Sequence, residues 1–317
     1  MKEPKNRPAK ATSRRDMLKS SVLAGGALAT VPFSEKYQSQ EKPFQGEVAF
    51  ITGGARGIGR ATALKFAEQG VNVALLDIAT QIESVVHYPM ATVEDLAETQ
   101  RMVEEKGVAC LSFQADVRDK EQVQGAVSHI VKTWGRLDFL VANAAIATIS
   151  PLENMSMEAW KDVLDVNLTG PALCIQAVIP QMKKQKSGRI VCISSVNGRR
   201  GSASVPSYTA SKWGLIGLTK CVALEVGKSN ITANAICPTG VNTDMFNNEW
   251  MRKATDPSNP VDEALHELLK EEHALPVGML EPGDIADSIL FFCGPQAKHI
   301  TGVVLDVAAG MTAKNSA

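Results

Sequence analysis

From residue 46 nearly to the C-terminus, short apolar runs alternate with stretches of helical spacing. Apolar runs fall at 47–52, 71–76, 109–115, 137–142, 189–194, 232–236 and 303–307. Helical patterns lie between them at 57–69, 92–106, 120–134, 157–185, 208–227 and 284–292. Such alternation implies right-handed crossovers and a mostly parallel sheet with helices on both faces. The strands are almost continuously apolar, as strands buried on two sides must be. With 317 residues, 44% hydrophobic and 21% charged, the chain can bury one large core, and no internal repeat or second core is visible. The pattern predicts a single doubly wound α/β domain over 46–317. Pro171 and Pro180 predict bends in the long helix at 157–185. The connection 79–91 is long for such a unit and reads as a lid or binding loop.

The first 45 residues differ. Residues 1–12 are polar and basic, with Glu3 as the one acid, and Arg14-Arg15 precede an apolar small-residue run at 20–31. Charged segment, short apolar segment and an Ala27-Leu28-Ala29 cut site follow the order of an export signal. The paired arginines, followed by Leu18 and Lys19, resemble a twin-arginine signal. The expectation is an export signal at 1–29, a linker at 30–45 and an extracytoplasmic, periplasmic protein. The alternative is a basic arm that stays on a cytoplasmic one. The apolar run is too short for a stable membrane span. A net charge of −1 argues against a nucleic-acid partner. The six cysteines form no C-x-x-C pair, and no His, Cys and carboxylate cluster has metal-ligand spacing, so no metal is expected.

Thr52-Gly53-Gly54-Ala55-Arg56-Gly57-Ile58-Gly59 joins the first strand to the first helix. Glycines at 53, 57 and 59 allow a tight turn and close approach of a ligand, and the helix start offers N–H groups to a pyrophosphate. That places a dinucleotide at the mouth of a Rossmann fold. Asp77, 18 residues after Gly59, ends the second strand. A carboxylate there binds the adenosine ribose hydroxyls and repels a 2′-phosphate, favouring NAD over NADP. Arg56 argues the other way, since a cation in the turn can pair with a 2′-phosphate.

Ser195 ends another strand, and Tyr208 and Lys212 sit i and i+4 at a helix start, on one face. A phenol is poorly matched to neutral pH. An adjacent ammonium and an oxidised nicotinamide would favour its ionised form. Tyr208 could then take a proton from an alcohol or return it to a carbonyl oxygen, with Ser195 holding that oxygen.

These residues, with Asp116-Val117, Asn143-Ala144-Ala145, Asn167 and 238-PTGVNT-243, resemble the short-chain dehydrogenase/reductase family over about 46–317. The resemblance implies NAD(P)-dependent oxidation of a CH–OH group, with Asn167, Ser195, Tyr208 and Lys212 catalytic. It implies cofactor contacts at Gly53, Arg56, Gly57, Ile58, Gly59, Asp77, Ile78, Asp116, Val117, Asn143, Ala144, Tyr208, Lys212, Pro238, Gly240, Val241 and Thr243. Asn167 would bend its helix and hold a water that links Lys212 to solvent. Ala145 and Thr239 stand where the family has glycine. The insertion with Tyr88-Pro89, CPTGVNTDMF at 237–246 and HALPVGMLEPGDIADSILFF at 273–292 resemble the mycofactocin-coupled, carveol dehydrogenase-like branch. That branch implies a non-exchanging NAD under the insertion, regenerated by a separate redox carrier.

The expected substrate is a small apolar secondary alcohol or ketone, walled by residues after Ala145, by 196–206, and by Met245, Phe246, Trp250 and Met251. These side chains could instead pack on the core or a neighbouring subunit. A homodimer or homotetramer built on helices 157–185 and 208–227 is expected. The competing readings are a dinucleotide-binding redox sensor or scaffold, and an NADP-dependent carbonyl reductase. An epimerase would need more chain than 244–317 supplies.

Overall fold

The computed structural model describes residues 44–314. The export-type segment and most of the linker lie outside the described residues. Strands β1 (Val48–Thr52), β2 (Asn72–Asp77), β3 (Cys110–Gln114), β4 (Phe139–Ala142), β5 (Gly188–Ile193), β6 (Ile231–Pro238) and β7 (Val304–Val307) form one parallel sheet, ordered β3-β2-β1-β4-β5-β6-β7. The order reverses between β1 and β4, so a crevice opens beyond their C-terminal ends.

Helices α1 (Gly57–Glu68), α2 (Val93–Glu104) and α3 (Lys120–Trp134) cross between the first four strands. Next come α4 (Met157–Leu164), α5 (Gly170–Gln185), α6 (Pro206–Val226), α7 (Glu249–Thr255), α8 (Asp262–Glu272) and α9 (Pro282–Cys293). Alternation along β1 explains the three layers. Val48 and Phe50 point into a core under α3, α5 and α6, while Ala49 and Ile51 point into a second core under α1 and α9. Both sides of β1 are fully buried, as its unbroken apolar run requires.

The single-domain Rossmann architecture agrees with the sequence pattern, with differences at the edges. Phe44, read as linker, is buried and meets Phe139 edge-on at 5.5 Å between centroids. The long helix at 157–185 breaks through a π-helical turn at Asp165–Thr169 rather than at its prolines. Pro171 sits in the first turn of α5, where a missing N–H costs little, and Pro180 remains inside that helix. This stretch is long and apolar enough to cross a membrane by length and composition. Val163, Val178 and Met182, however, are fully buried in the protein's own core. Helices α7 and α8 lie in a segment whose sequence showed no clear period; α8 buries Leu265 and Leu269, and α7 buries nothing completely.

Candidate active site

The phosphate turn is built from backbone. Gly53 has φ +65°, and its N–H donates to the Leu76 carbonyl at 2.8 Å. A Cβ on Gly59 would stand 2.0 Å from the Gly53 oxygen, so no larger residue fits while the turn keeps this shape. The α1 N-terminus has no side-chain cap, which leaves its first-turn N–H groups for a ligand. Asn143 braces the turn from β4: its amide donates to the Thr52 and Gly53 carbonyls at 3.0 and 3.1 Å. The Asn143 and Ala144 N–H groups both donate to the Thr52 hydroxyl at 3.1 Å.

Beside this turn lies a cavity of about 610 Å³. Among the residues singled out from the sequence, Gly53, Arg56, Gly57, Ile58, Asp77, Ile78, Asp116, Val117, Asn143, Ala144 and Thr243 form its wall. Gly59 supports the turn from behind. Asn167, Ser195, Tyr208, Lys212, Pro238, Gly240 and Val241 are not part of this wall; Asn167 bonds the backbone of Ile146, which is. The anion-ready turn, the carboxylate at β2 and the cavity fit a dinucleotide. Asp77 is nearly buried; its two oxygens accept the Ala55 and Ala79 N–H groups at 3.1 and 3.0 Å. Burial raises its pKa, opposed by those amides and by Arg56. The Asp116 carboxylate is taken by Arg118, which also pairs with Asp162 at 2.7 Å.

Arg56 is tied down at the cavity wall. Its guanidinium pairs with Asp244 at 2.8 Å and donates to the Pro89 carbonyl. It thereby joins three segments: the phosphate turn, the insertion at 79–91 and the loop after β6. The insertion has further ties. Ser84 donates to Asp162 at 2.8 Å, His87 donates to the Ile149 carbonyl at 3.1 Å, and the Ala147 N–H donates to the Tyr88 oxygen at 3.0 Å. His87 also packs against Trp250, the rings tilted by 45° with centroids 4.8 Å apart. The insertion contributes Ile82, Tyr88, Met90 and Ala91 to the cavity wall. Sequence reasoning flagged its length and Tyr88-Pro89 but assigned none of these side chains.

Ser195, Tyr208 and Lys212 converge where β5 ends against α6. Ser195 caps a short 3₁₀ turn, its oxygen accepting the Asn197 N–H at 3.1 Å. Pro206 starts α6 two residues before Tyr208, so the phenol sits in the first turn. Lys212 is buried; its ammonium donates to the Ile193 carbonyl at 2.8 Å and lies 5.4 Å from the Tyr208 ring centroid. Burial pushes Tyr208 up to about 12, opposed by the Ser195 hydroxyl and reinforced by Cys237. Burial draws Lys212 down to about 8, opposed by Cys237 and Cys192. The expected lowering of Tyr208 by Lys212 is therefore not found in the protein alone, because desolvation outweighs everything else acting on the phenol.

Asn167 occupies the π-helical turn. Its side chain accepts the Ile146 N–H at 2.8 Å and donates to the Ile146 carbonyl and to Ser211 at 2.9 and 3.1 Å. It holds the β4 loop against α6 and makes no direct contact with Lys212. Thr239, one of the two glycine departures, is accounted for. Its hydroxyl bonds the buried His273 Nε2 at 2.9 Å, and His273 Nδ1 bonds the Val277 carbonyl at 2.7 Å. Phe246 and Met251, expected in the substrate wall, pack on a small core with Val196, Leu265 and Leu269. Their apolarity answers a packing need, so it no longer argues for an apolar substrate. Met245 does line the cavity, and Trp250, which is not part of its wall, is 37% exposed.

The pattern of the short chain dehydrogenase family matches residues 47–254. The chain belongs to this family. This short-chain dehydrogenase is 36% identical over 274 residues to the (−)-trans-carveol dehydrogenase of Rhodococcus erythropolis, covering 85% of this chain and 99% of that protein. It is 37% identical over 266 residues to a 3-oxoacyl-[acyl-carrier-protein] reductase of Staphylococcus aureus, covering 83% and 97%. The crystal structure of a carveol dehydrogenase from Mycobacterium avium in complex with NAD superposes with a TM-score of 0.83 at 37% identity, covering 86% and 99%. With these relatives, this short-chain dehydrogenase is an oxidoreductase of CH–OH groups.

Proposed function

We propose that this enzyme transfers hydride between NAD and a secondary alcohol or ketone, with Tyr208 as the general acid and base. The convergence of Ser195, Tyr208 and Lys212, with Tyr208 near Tyr88 of the cavity wall, carries this reading. Bound nicotinamide supplies the hydride acceptor or donor and, when oxidised, a positive charge near the phenol. Tyr208 takes the hydroxyl proton during oxidation and returns it to the oxygen during reduction. Ser195 holds that oxygen, and Lys212 binds the nearby ribose. A water relay would have to start from the π-helical backbone around Asn167, since the Asn167 side chain is already committed to Ile146 and Ser211.

Two observations favour NAD over NADP. Asp77 stands at the cleft, and the cation that could have paired with a 2′-phosphate, Arg56, is engaged by Asp244 and the Pro89 carbonyl. The ties across the insertion support a retained cofactor, which would then be recycled in place by a separate redox carrier, as the mycofactocin-coupled branch implies. Exposed Trp213 and Leu224 on α6 and Met157 on α4 suit contact with further copies, as a homodimer or homotetramer. The arginine pair at 14–15 supports export to the periplasm. Mass spectrometry of the purified protein under native and denaturing conditions tests three of these points. A tetramer or dimer carrying one NAD per chain and starting after Ala29 is expected. NADP in the cleft, or no nucleotide together with ready activity on added NAD, would overturn the cofactor reading.

A further inference from the structure

We propose that the Tyr88 hydroxyl binds the dinucleotide directly, donating its proton to a ribose or phosphate oxygen in the nicotinamide half. This rests on the reading of the cleft as an NAD site. Tyr88 is 7% exposed, and its ring packs into the core beneath α3, α5 and α6. Its oxygen accepts the Ala147 N–H at 3.0 Å, and no described residue accepts the hydroxyl proton in return. A donor buried this deeply costs stability unless something in the cleft accepts from it. The side chain forms part of the cavity wall, so the acceptor can come from there.

Position selects which half of the ligand supplies it. The Tyr208 phenol lies close enough to act electrostatically on the Tyr88 hydroxyl, and Ala147, which donates to that hydroxyl, directly follows Ala145 and Ile146 of the cavity wall. Asp77 and Asp116 are the wall residues suited to the adenosine half. Tyr88 is a donor and not a second base. Burial holds its pKa above the usual tyrosine range; the Ala147 amide opposes this and the nearby Tyr208 phenol adds to it. The hydroxyl thus stays protonated near neutral pH, ready to donate.

The insertion offers its own control. Ser84 ties it to Asp162 at 2.8 Å without lining the cavity, so Ser84→Ala loosens the insertion and leaves every cleft-facing group in place. Full-length protein loaded with NADH is mixed with excess ADP-ribose, and loss of bound-NADH fluorescence is followed. Tyr88→Phe is expected to release NADH about tenfold faster than wild type, the effect of one hydrogen bond near 1.4 kcal/mol. Ser84→Ala is expected to stay within about twofold of wild type on the same scale. Equal release from Tyr88→Phe and wild type overturns the proposal. So does equal acceleration by both variants, which would make Tyr88 only a tie for the insertion. If wild type itself loses NADH within the mixing time, the retained-cofactor reading fails. Tyr88 is then decided by dissociation constants: equal values for wild type and Tyr88→Phe overturn it, and a tenfold weaker one sustains it.

Discussion

The phosphate turn at 52–59 and the insertion at 79–91 face one cavity but are held in unlike ways. The turn is fixed by backbone hydrogen bonds, by Asn143 and Thr52, and by glycines with no room for a Cβ. The insertion is fixed by separate side-chain ties from Arg56, Ser84, His87 and Tyr88, each replaceable on its own. A fault in the turn should abolish binding, whereas a fault in one tie should change only how fast the ligand leaves.

The largest effect is expected where the turn has no slack. Gly59→Ala must displace the Gly53 carbonyl from 2.0 Å, costing about 3 kcal/mol. Thermal unfolding and nucleotide content should show a destabilised protein without NAD; normal occupancy would mean that the turn yields as the insertion does. Lys212→Met probes the buried ammonium beside Tyr208. Holding a lysine at a pKa near 8 rather than 10.5 costs about 3 kcal/mol at neutral pH. Below pH 8 this cost is present in full; between 8 and 10.5 the unfolded chain binds more protons, so stability rises with pH and the cost fades. Allowing about 1 kcal/mol for the lost bond to Ile193, the variant should gain about 2 kcal/mol at pH 7 and lose that advantage by pH 10. Denaturant unfolding at the two pH values measures this, and a variant less stable at pH 7 would contradict it.

Arg56→Ala removes the tie that joins turn, insertion and the loop after β6. One charged contact, partly exposed, is worth about 1–1.5 kcal/mol, so NADH should leave roughly tenfold faster while its spectrum and stoichiometry stay unchanged. Loss of binding outright would place Arg56 with the turn rather than the insertion. A smaller effect than that of Arg56→Ala belongs to Trp250→Ala. Its tilted ring contact with His87 is worth at most about 1 kcal/mol, so release should quicken only severalfold, measured in the same assay.

The turn was readable in the sequence because glycine spacing, a strand before it and a helix after it leave one arrangement. The two-sided core was readable for a similar reason, since each central strand is apolar throughout. The insertion was readable only as length plus Tyr88-Pro89, because its ties join residues far apart in the chain, such as Ser84 to Asp162. The segment at 239–282 misled for the opposite reason. Phe246 and Met251 look like a substrate wall, but α7 and α8 need a small core of their own and take those side chains. The elevated phenol of Tyr208 was also invisible, because i, i+4 spacing reports a neighbouring ammonium and not the desolvation that overrides it.

That phenol supplies the most direct test. With its pKa near 12 in the protein alone, oxidation should run faster at pH 9 than at pH 7, while reduction, which needs the phenol protonated, gains nothing. Tyr208→Phe isolates the group itself. In a single turnover with bound NAD and a secondary alcohol, hydride transfer should fall by about 10³-fold while the amount of bound NAD stays at the wild-type level. Transfer at close to the wild-type rate in that variant would contradict the assignment of Tyr208 as the acid and base.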